Sequence, residues 1–134
     1  AFLQLNRPSE ATEPLLKAVG ADRTKAIYPT ALGLAYNQIG NHELALASLN
    51  LSLKIEPDSP YALLQQGVAF VGIGDEPSAA SALRKSMVLS IIAKDQRNAS
   101  RALTLFKAMG LTEQMSPEDL SAFESKIDGL LKNL

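Results

Sequence analysis

Few residues of this chain are placed to do chemistry. His42 is the single histidine and stands in the stretch Gly40-Asn41-His42-Glu43. A lone imidazole needs a converging partner before it can work as an acid, a base or a ligand. The surrounding residues are those of a turn, so His42 is expected to be a solvated turn residue. With one histidine there is no two-histidine metal spacing, and with no cysteine there is no thiolate nucleophile, thiolate metal site or disulfide. Glu118 and Asp119 adjoin one another, but they follow Ser116-Pro117. That is where acids favour the positive end of a helix. Asn50-Leu51-Ser52 and Asn98-Ala99-Ser100 match a glycosylation acceptor pattern. The first falls in mid-helix, and neither is assigned a role. Gly72-Ile73-Gly74-Asp75 does not have the make-up of a phosphate loop: Gly74 is expected to end a helix, and Gly72 has no evident reason to be glycine. The expectation is therefore no catalytic residue, no metal and no cofactor.

The bulk composition is that of an ordinary globular domain and points to no particular partner. The chain has 134 residues, 46% hydrophobic and 20% charged, enough for one domain with a continuous core. Thirteen Lys+Arg against fourteen Asp+Glu give a formal net charge of −1, without the basic excess of a nucleic-acid binder. No apolar run approaches the roughly 20 residues that span a bilayer. Direct membrane insertion is therefore not expected, and the composition does not separate a cytoplasmic from a periplasmic location. The chain starts at Ala1, inside a helical pattern, and reads as an excerpt of a longer protein.

What must position any binding residue is a repeat. Shifting the sequence by 34 residues brings Phe2 onto Tyr36 and Phe70, Leu5 onto Ile39 and Ile73, and Ala11 onto Ala45 and Ala79. The same shift brings Leu15 onto Leu49 and Leu83, Ala18 onto Ser52 and Ser86, Val19 onto Leu53 and Met87, and Gly33 onto Gly67. Within one period, Ala31 to Ile39 has apolar and small residues at helical spacing, stopped by Gly40-Asn41. Glu43 to Ile55 resumes the pattern until Pro57. Each unit is thus helix, tight turn, helix. Gly33 and Gly67 allow close approach, while Tyr36, Phe70, Leu49 and Leu83 fill the space left. Such a hairpin cannot bury its own apolar face and must stack on neighbours.

Leu32-Gly33, Tyr36, Gly40, Ala45, Leu49, Leu53 and Pro57 resemble the tetratricopeptide (TPR) motif, and Gly67, Phe70, Gly74, Ala79 and Leu83 repeat it. Residues 1 to 93 carry the resemblance. Ser52 and Ser86 depart from it where the motif has Ala, and Ile91 stands where the second unit would have its closing Pro. The resemblance implies an all-α fold: a right-handed superhelical stack of antiparallel helix hairpins, a TPR-like α-solenoid, with an amphipathic C-terminal capping helix. One domain spans 1–134, divided into a partial repeat 1–25, repeats 26–59 and 60–93, a degenerate repeat helix 94–115 and a capping helix 116–134. Ala1 to Asn6 should be the last turns of a helix, Pro14 should delay or kink the next one, and Gly20 to Lys25 should be a polar link. Beyond Ile92 the register slips, since Phe106 and Gly110 lie 36 residues after Phe70 and Gly74. A break is expected near Asp95 to Asn98, then a helix to Met109, a loop over 111–116, and a last helix with Leu120, Phe123, Ile127, Leu130, Leu131 and Leu134 on one face.

Further implications of the resemblance concern function. First helices of successive TPR units line a concave groove that takes a peptide or helix of a partner. Carried over by position, the groove residues are Ile27, Thr30, Leu34, Asn37 and Gln38, then Tyr61, Leu64, Gln65, Val68 and Val71, and from the slipped helix Arg97, Ser100, Thr104 and Lys107. Asn37, Gln38 and Gln65 would bond a peptide backbone, and the aliphatic residues and Tyr61 would supply apolar contact. The family's carboxylate-clamp subtype needs Lys and Asn where this chain has Thr30, Leu34, Leu64 and Val68, so that subtype is not expected. The expected function is a protein–protein interaction scaffold whose partner is a protein or peptide, not nucleic acid. The alternative is a structural or oligomerisation arm, self-associating through the N-terminal open face or the C-terminal helix.

Overall fold

The computed structural model describes residues 8–132. The expected helix over residues 1 to 6, the repeat matches at Phe2 and Leu5, and the Leu134 end of the last apolar face lie outside them. Seven α-helices follow in order among the described residues: α1 (Pro8–Ala21), α2 (Ile27–Gln38), α3 (His42–Ile55), α4 (Pro60–Gly72), α5 (Glu76–Ile92), α6 (Gln96–Ala108) and α7 (Pro117–Lys132). A short 3-10 helix, Leu111–Gln114, precedes α7. The fold is the all-α stack of helix hairpins implied by the 34-residue period.

The hairpin turns follow directly from local chemistry. In the α2–α3 turn Gly40 adopts φ +82°, and the N–H groups of Ile39, Gly40 and Asn41 bond the carbonyls of Ala35, Asn37 and Tyr36. Those are the carbonyls a helix end leaves without intrahelical donors. The Asn41 side chain then accepts the Leu44 N–H and caps α3. Gly74 at φ +83° and the Asp75 cap rebuild the same turn between α4 and α5.

Close approach explains the glycines inside the helices. A Cβ on Gly33 would lie 2.5 Å from Leu49 Cγ, and one on Gly67 would lie 2.6 Å from Leu83 Cγ. Leu49 and Leu83 are fully buried. In each unit the leucine of the second helix occupies the space the glycine vacates.

The inner helices form a row, α2 on α4 and α4 on α6, whereas α3 and α5 each pack against α4. Rows of unequal closeness make a curved stack. Leu32, Tyr36, Ala45 and Ala69 make one buried cluster, with Leu15, Val19 and Leu46 against it. Leu64, Leu83, Met87, Phe106, Leu111 and Met115 belong to a second, with Leu120 and Phe123 of α7 packed against it. The last helix therefore caps the stack through its apolar face.

Three local expectations need correction. α1 runs continuously through Pro14, which lies on its exposed side, so the helix does not start late. In the link that follows, the hydroxyl and N–H of Thr24 donate to Asp22 and hold its carboxyl below the ordinary carboxylate range. The break after α5 falls at 93–95, earlier than expected, because Lys94 takes the left-handed conformation (φ +57°) that Gly40 and Gly74 take. Residues 111–114 form a 3-10 helix, not a loop, and Leu111 is fully buried.

Candidate functional site

The groups that Ser52 and Ser86 bond, one a hydroxyl and one a main-chain carbonyl, account for serine rather than alanine at these positions. Both serines are fully buried. The Ser86 hydroxyl donates to the Pro60 carbonyl at 2.7 Å, tying α5 to the first turn of α4. Ser52 bonds the Thr30 hydroxyl, which itself reaches the Ala26 carbonyl at 2.7 Å. A buried hydroxyl is tolerated when it is satisfied in this way. Thr30 thus has its hydroxyl engaged inside the α2–α3 packing.

A second polar knot sits where α2, α3 and α4 meet. Asn37 and Gln65 are buried. Asn37 Nδ2 donates to the Gln65 carbonyl at 2.9 Å and to Gln65 Oε1 at 3.1 Å. Asn37 Oδ1 lies 3.0 Å from His42 Nδ1. His42 is accordingly not a solvated turn residue: it opens α3, is half-buried, and its ring packs on Gly72 of α4. A Cβ on Gly72 would lie 2.2 Å from the imidazole Cδ2, which accounts for the glycine that the repeat did not explain. Asn37 is not a free hydrogen-bonding group on the surface.

Two hollows open along the row of inner helices. The first, about 320 Å³, lies between α2 and α4 and is lined by Ile27, Thr30, Ala31, Leu34 and Tyr61, with Glu56 and Ser59 from the α3–α4 link. The second, about 610 Å³, lies between α4 and α6. Leu64, Val68 and Leu105 give it an apolar floor, and Gln65, Arg97 and Arg101 line it. Leu64 is at the same time a buried member of the second core cluster.

The structure brings together Ile27, Thr30, Leu34 and Tyr61 at one hollow, and Leu64, Gln65, Val68, Arg97, Ser100 and Thr104 at the other. It leaves four expected residues elsewhere, the first being Asn37, which is buried in the polar knot and lines neither hollow. Gln38 is exposed at the end of α2 and lines neither hollow. Val71 packs against the second core cluster. Lys107 Nζ is bound to Glu124 Oε1 of α7 at 2.9 Å. Arg101 was not anticipated; it lies one turn after Arg97 on the same face, a spacing visible in the sequence. Among the described residues there is no cluster of three or more His, Cys, Asp or Glu that could hold a metal, and no helix is long and apolar enough to cross a membrane.

This geometry defines a TPR-like helical repeat, and solved structures share it. PcrH, solved with the chaperone-binding region of PopD, matches at 20% identity over 84% of this chain and 85% of that one, with a TM-score of 0.75. The second TPR domain of human RPAP3, solved with an HSP70 peptide, matches at 20% identity over 79% of this chain and 86% of that one, TM-score 0.69. MamA matches at 19% identity over 98% of this chain and 73% of its own, TM-score 0.74. No family model and no curated protein matches the sequence. At these identities the likeness is one of fold.

Proposed function

We propose that this chain is a protein–protein interaction scaffold that binds an extended peptide or helix of a partner across α2, α4 and α6, and that it does not catalyse a reaction. The observation that carries this reading is the pair of adjoining hollows on one row of helices, each with apolar side chains at its base and polar ones around it. A repeated anchor-and-rim arrangement suits a segment that places side chains at intervals, gaining affinity from several weak contacts. Two neighbours of the same fold were solved with a partner segment, the PopD region on PcrH and the HSP70 peptide on RPAP3, which makes this use of the fold the natural one. The groove residues proposed are Ile27, Leu34 and Tyr61 at the first hollow and Val68, Gln65, Arg97 and Arg101 at the second.

The test is an array of peptides of about ten residues, long enough in extended form to cross neighbouring helices, each carrying two leucines at varied separation. Binding is then measured in solution for the wild type, Leu34→Arg and Val68→Arg. Both sites are half-buried, so the arginine head can reach water and the fold should persist. Affinity should fall by at least about tenfold for each variant. Leu64→Arg is a poor probe, because Leu64 is buried and its loss would unfold the core. Unchanged affinity in both half-buried variants, with melting temperatures retained, would remove the groove assignment.

A further inference from the structure

We infer, resting on the peptide-binding reading of the groove, that the hollow between α4 and α6 selects an apolar side chain accompanied by a side-chain carboxylate, and that Asn37 is the positioning residue that makes Gln65 a fixed hydrogen-bond donor there. A main-chain atom fixes the orientation of both amides. The Gln65 carbonyl oxygen can only accept, so the Asn37 atom 2.9 Å away is its NH2 group. The same NH2 lies 3.1 Å from the side chain of Gln65, so the Gln65 atom facing it is the carbonyl Oε1. Asn37 then turns Oδ1 toward His42, whose Nδ1 at 3.0 Å must carry the proton. Reversing either amide would set two donors or two acceptors against each other. Gln65 therefore has Oε1 turned inward, and its own NH2 is what it offers to the hollow it lines. Among the described residues no acceptor bonds that NH2.

Charge points the same way. Arg97 and Arg101 stand one turn apart on α6 and line this hollow, and no carboxylate lines it. Like charges at that spacing repel, and among the described residues neither arginine has an ion-pair partner. The hollow between α2 and α4 has the opposite character: Glu56 lines it and no Lys or Arg does. The chain as a whole is nearly neutral, at −1, so the contrast is local. A segment that fits both hollows has its acidic residue at the α6 end. There a directional NH2 and two guanidinium groups meet one carboxylate, and charge-assisted bonds of this kind are the strong ones.

The experiment uses acetylated, amidated leucine-containing peptides in pairs that differ only by Glu or Gln beside the second leucine, so that the side chain carries the sole difference in charge. By fluorescence anisotropy the Glu peptide should bind the wild type about tenfold more tightly at low salt, with the ratio shrinking as salt rises. Arg101→Gln should reduce the ratio. Gln65→Glu, which keeps the shape and one oxygen for Asn37 while turning the other to the hollow, should abolish or reverse it. Asn37→Leu should lower the ratio while both peptides still bind, an effect a purely structural residue would not produce. Equal affinities for the two wild-type pairs, with Val68→Arg still preventing both, would overturn carboxylate selection and leave the groove standing. A ratio untouched by Gln65→Glu would overturn the oriented donor. If no peptide pair binds, both this inference and the groove fall.

Discussion

The stack has two interiors built by different means. From α2 to α5, one helix hairpin copies the next: Gly33 against Leu49 recurs as Gly67 against Leu83, and the Gly40 turn recurs as the Gly74 turn. From the end of α5 to α7 the copying stops. α5 has 17 residues where α3 has 14, so the added register goes into its last turn. The turn that follows is the same hydrogen-bonded turn, with Ala93, Lys94 and Asp95 N–H groups on the Leu89, Ile91 and Ser90 carbonyls. Here, however, a lysine takes the left-handed backbone that glycine takes elsewhere. Phe106, Leu111 and Met115 fill the interior in place of a further Gly–Leu pair. A periodic interior has to fit copies of itself, so it fixes small residues at set places. A terminal interior has to fit one neighbour and then end, so it is free to use bulk.

The largest effect should come from removing that bulk. Phe106 is fully buried among residues of α4, α5 and the 3-10 helix, and Phe106→Ala should destabilise by ~3–5 kcal/mol. Leu83→Ala, at a repeated Gly–Leu contact on the periodic side of the same buried cluster, should cost ~2–5 kcal/mol. The two should differ in reach. Stability in a repeat stack is nearly a sum over neighbours. In hydrogen exchange, Phe106→Ala should deprotect α6 and α7 while α2 and α3 keep their protection, whereas Leu83→Ala should weaken α4 and α5 and everything beyond them. Uniform loss of protection in both variants would mean that the two interiors are one cooperative unit.

The same contrast marks what could be read from the sequence. The Gly–Leu pairs were legible because each recurs after one 34-residue step. The Asn37–Gln65 and His42–Gly72 contacts were not, because each crosses from one hairpin to the next and occurs once. Thirty-four residues after His42 stands Glu76, so no periodic signal marks that contact in the sequence. The grouping of Ile27, Leu34, Tyr61, Val68 and Arg97 along the inner helices is what the TPR resemblance implies when carried over by position. Lys107 is an expected groove residue by extension along the slipped helix, but the α7 carboxylate that binds it lies in a helix that does not keep the repeat's small-residue positions. Arg101 was missed, although its spacing from Arg97 was plain to see.

Substituting glycine by alanine should change sign between the two regions. In Gly67→Ala the new Cβ would sit 2.6 Å from a buried leucine, so the helix would be forced apart, at ~1–3 kcal/mol. Gly129 lies in α7, and a Cβ there would meet nothing within 4 Å. Gly129→Ala should stabilise by ~0.5–1 kcal/mol, since alanine loses less conformational freedom in a helix. Thermal melts of the two single variants and the double would check this. The sites are in different helices and share no partner, so their effects should add. Two losses, or two gains, would erase the distinction between a helix held by neighbours and one that merely covers them.

The smallest effect should belong to the ion pair that joins α6 to α7. Lys107 and Glu124 are 2.9 Å apart but about half exposed, at 47% and 43%. Water and salt screen such a pair, and holding two long side chains in place opposes it. Its coupling in a double-mutant cycle should be only ~0.2–1 kcal/mol, falling further as salt is raised. If so, α7 is held mainly by Leu120 and Phe123 on the core. Glu124→Gln should then leave the melting temperature nearly unchanged. A coupling of several kcal/mol would instead make the ion pair the clasp of the cap, and α7 would depend on charge where the periodic hairpins depend on packing.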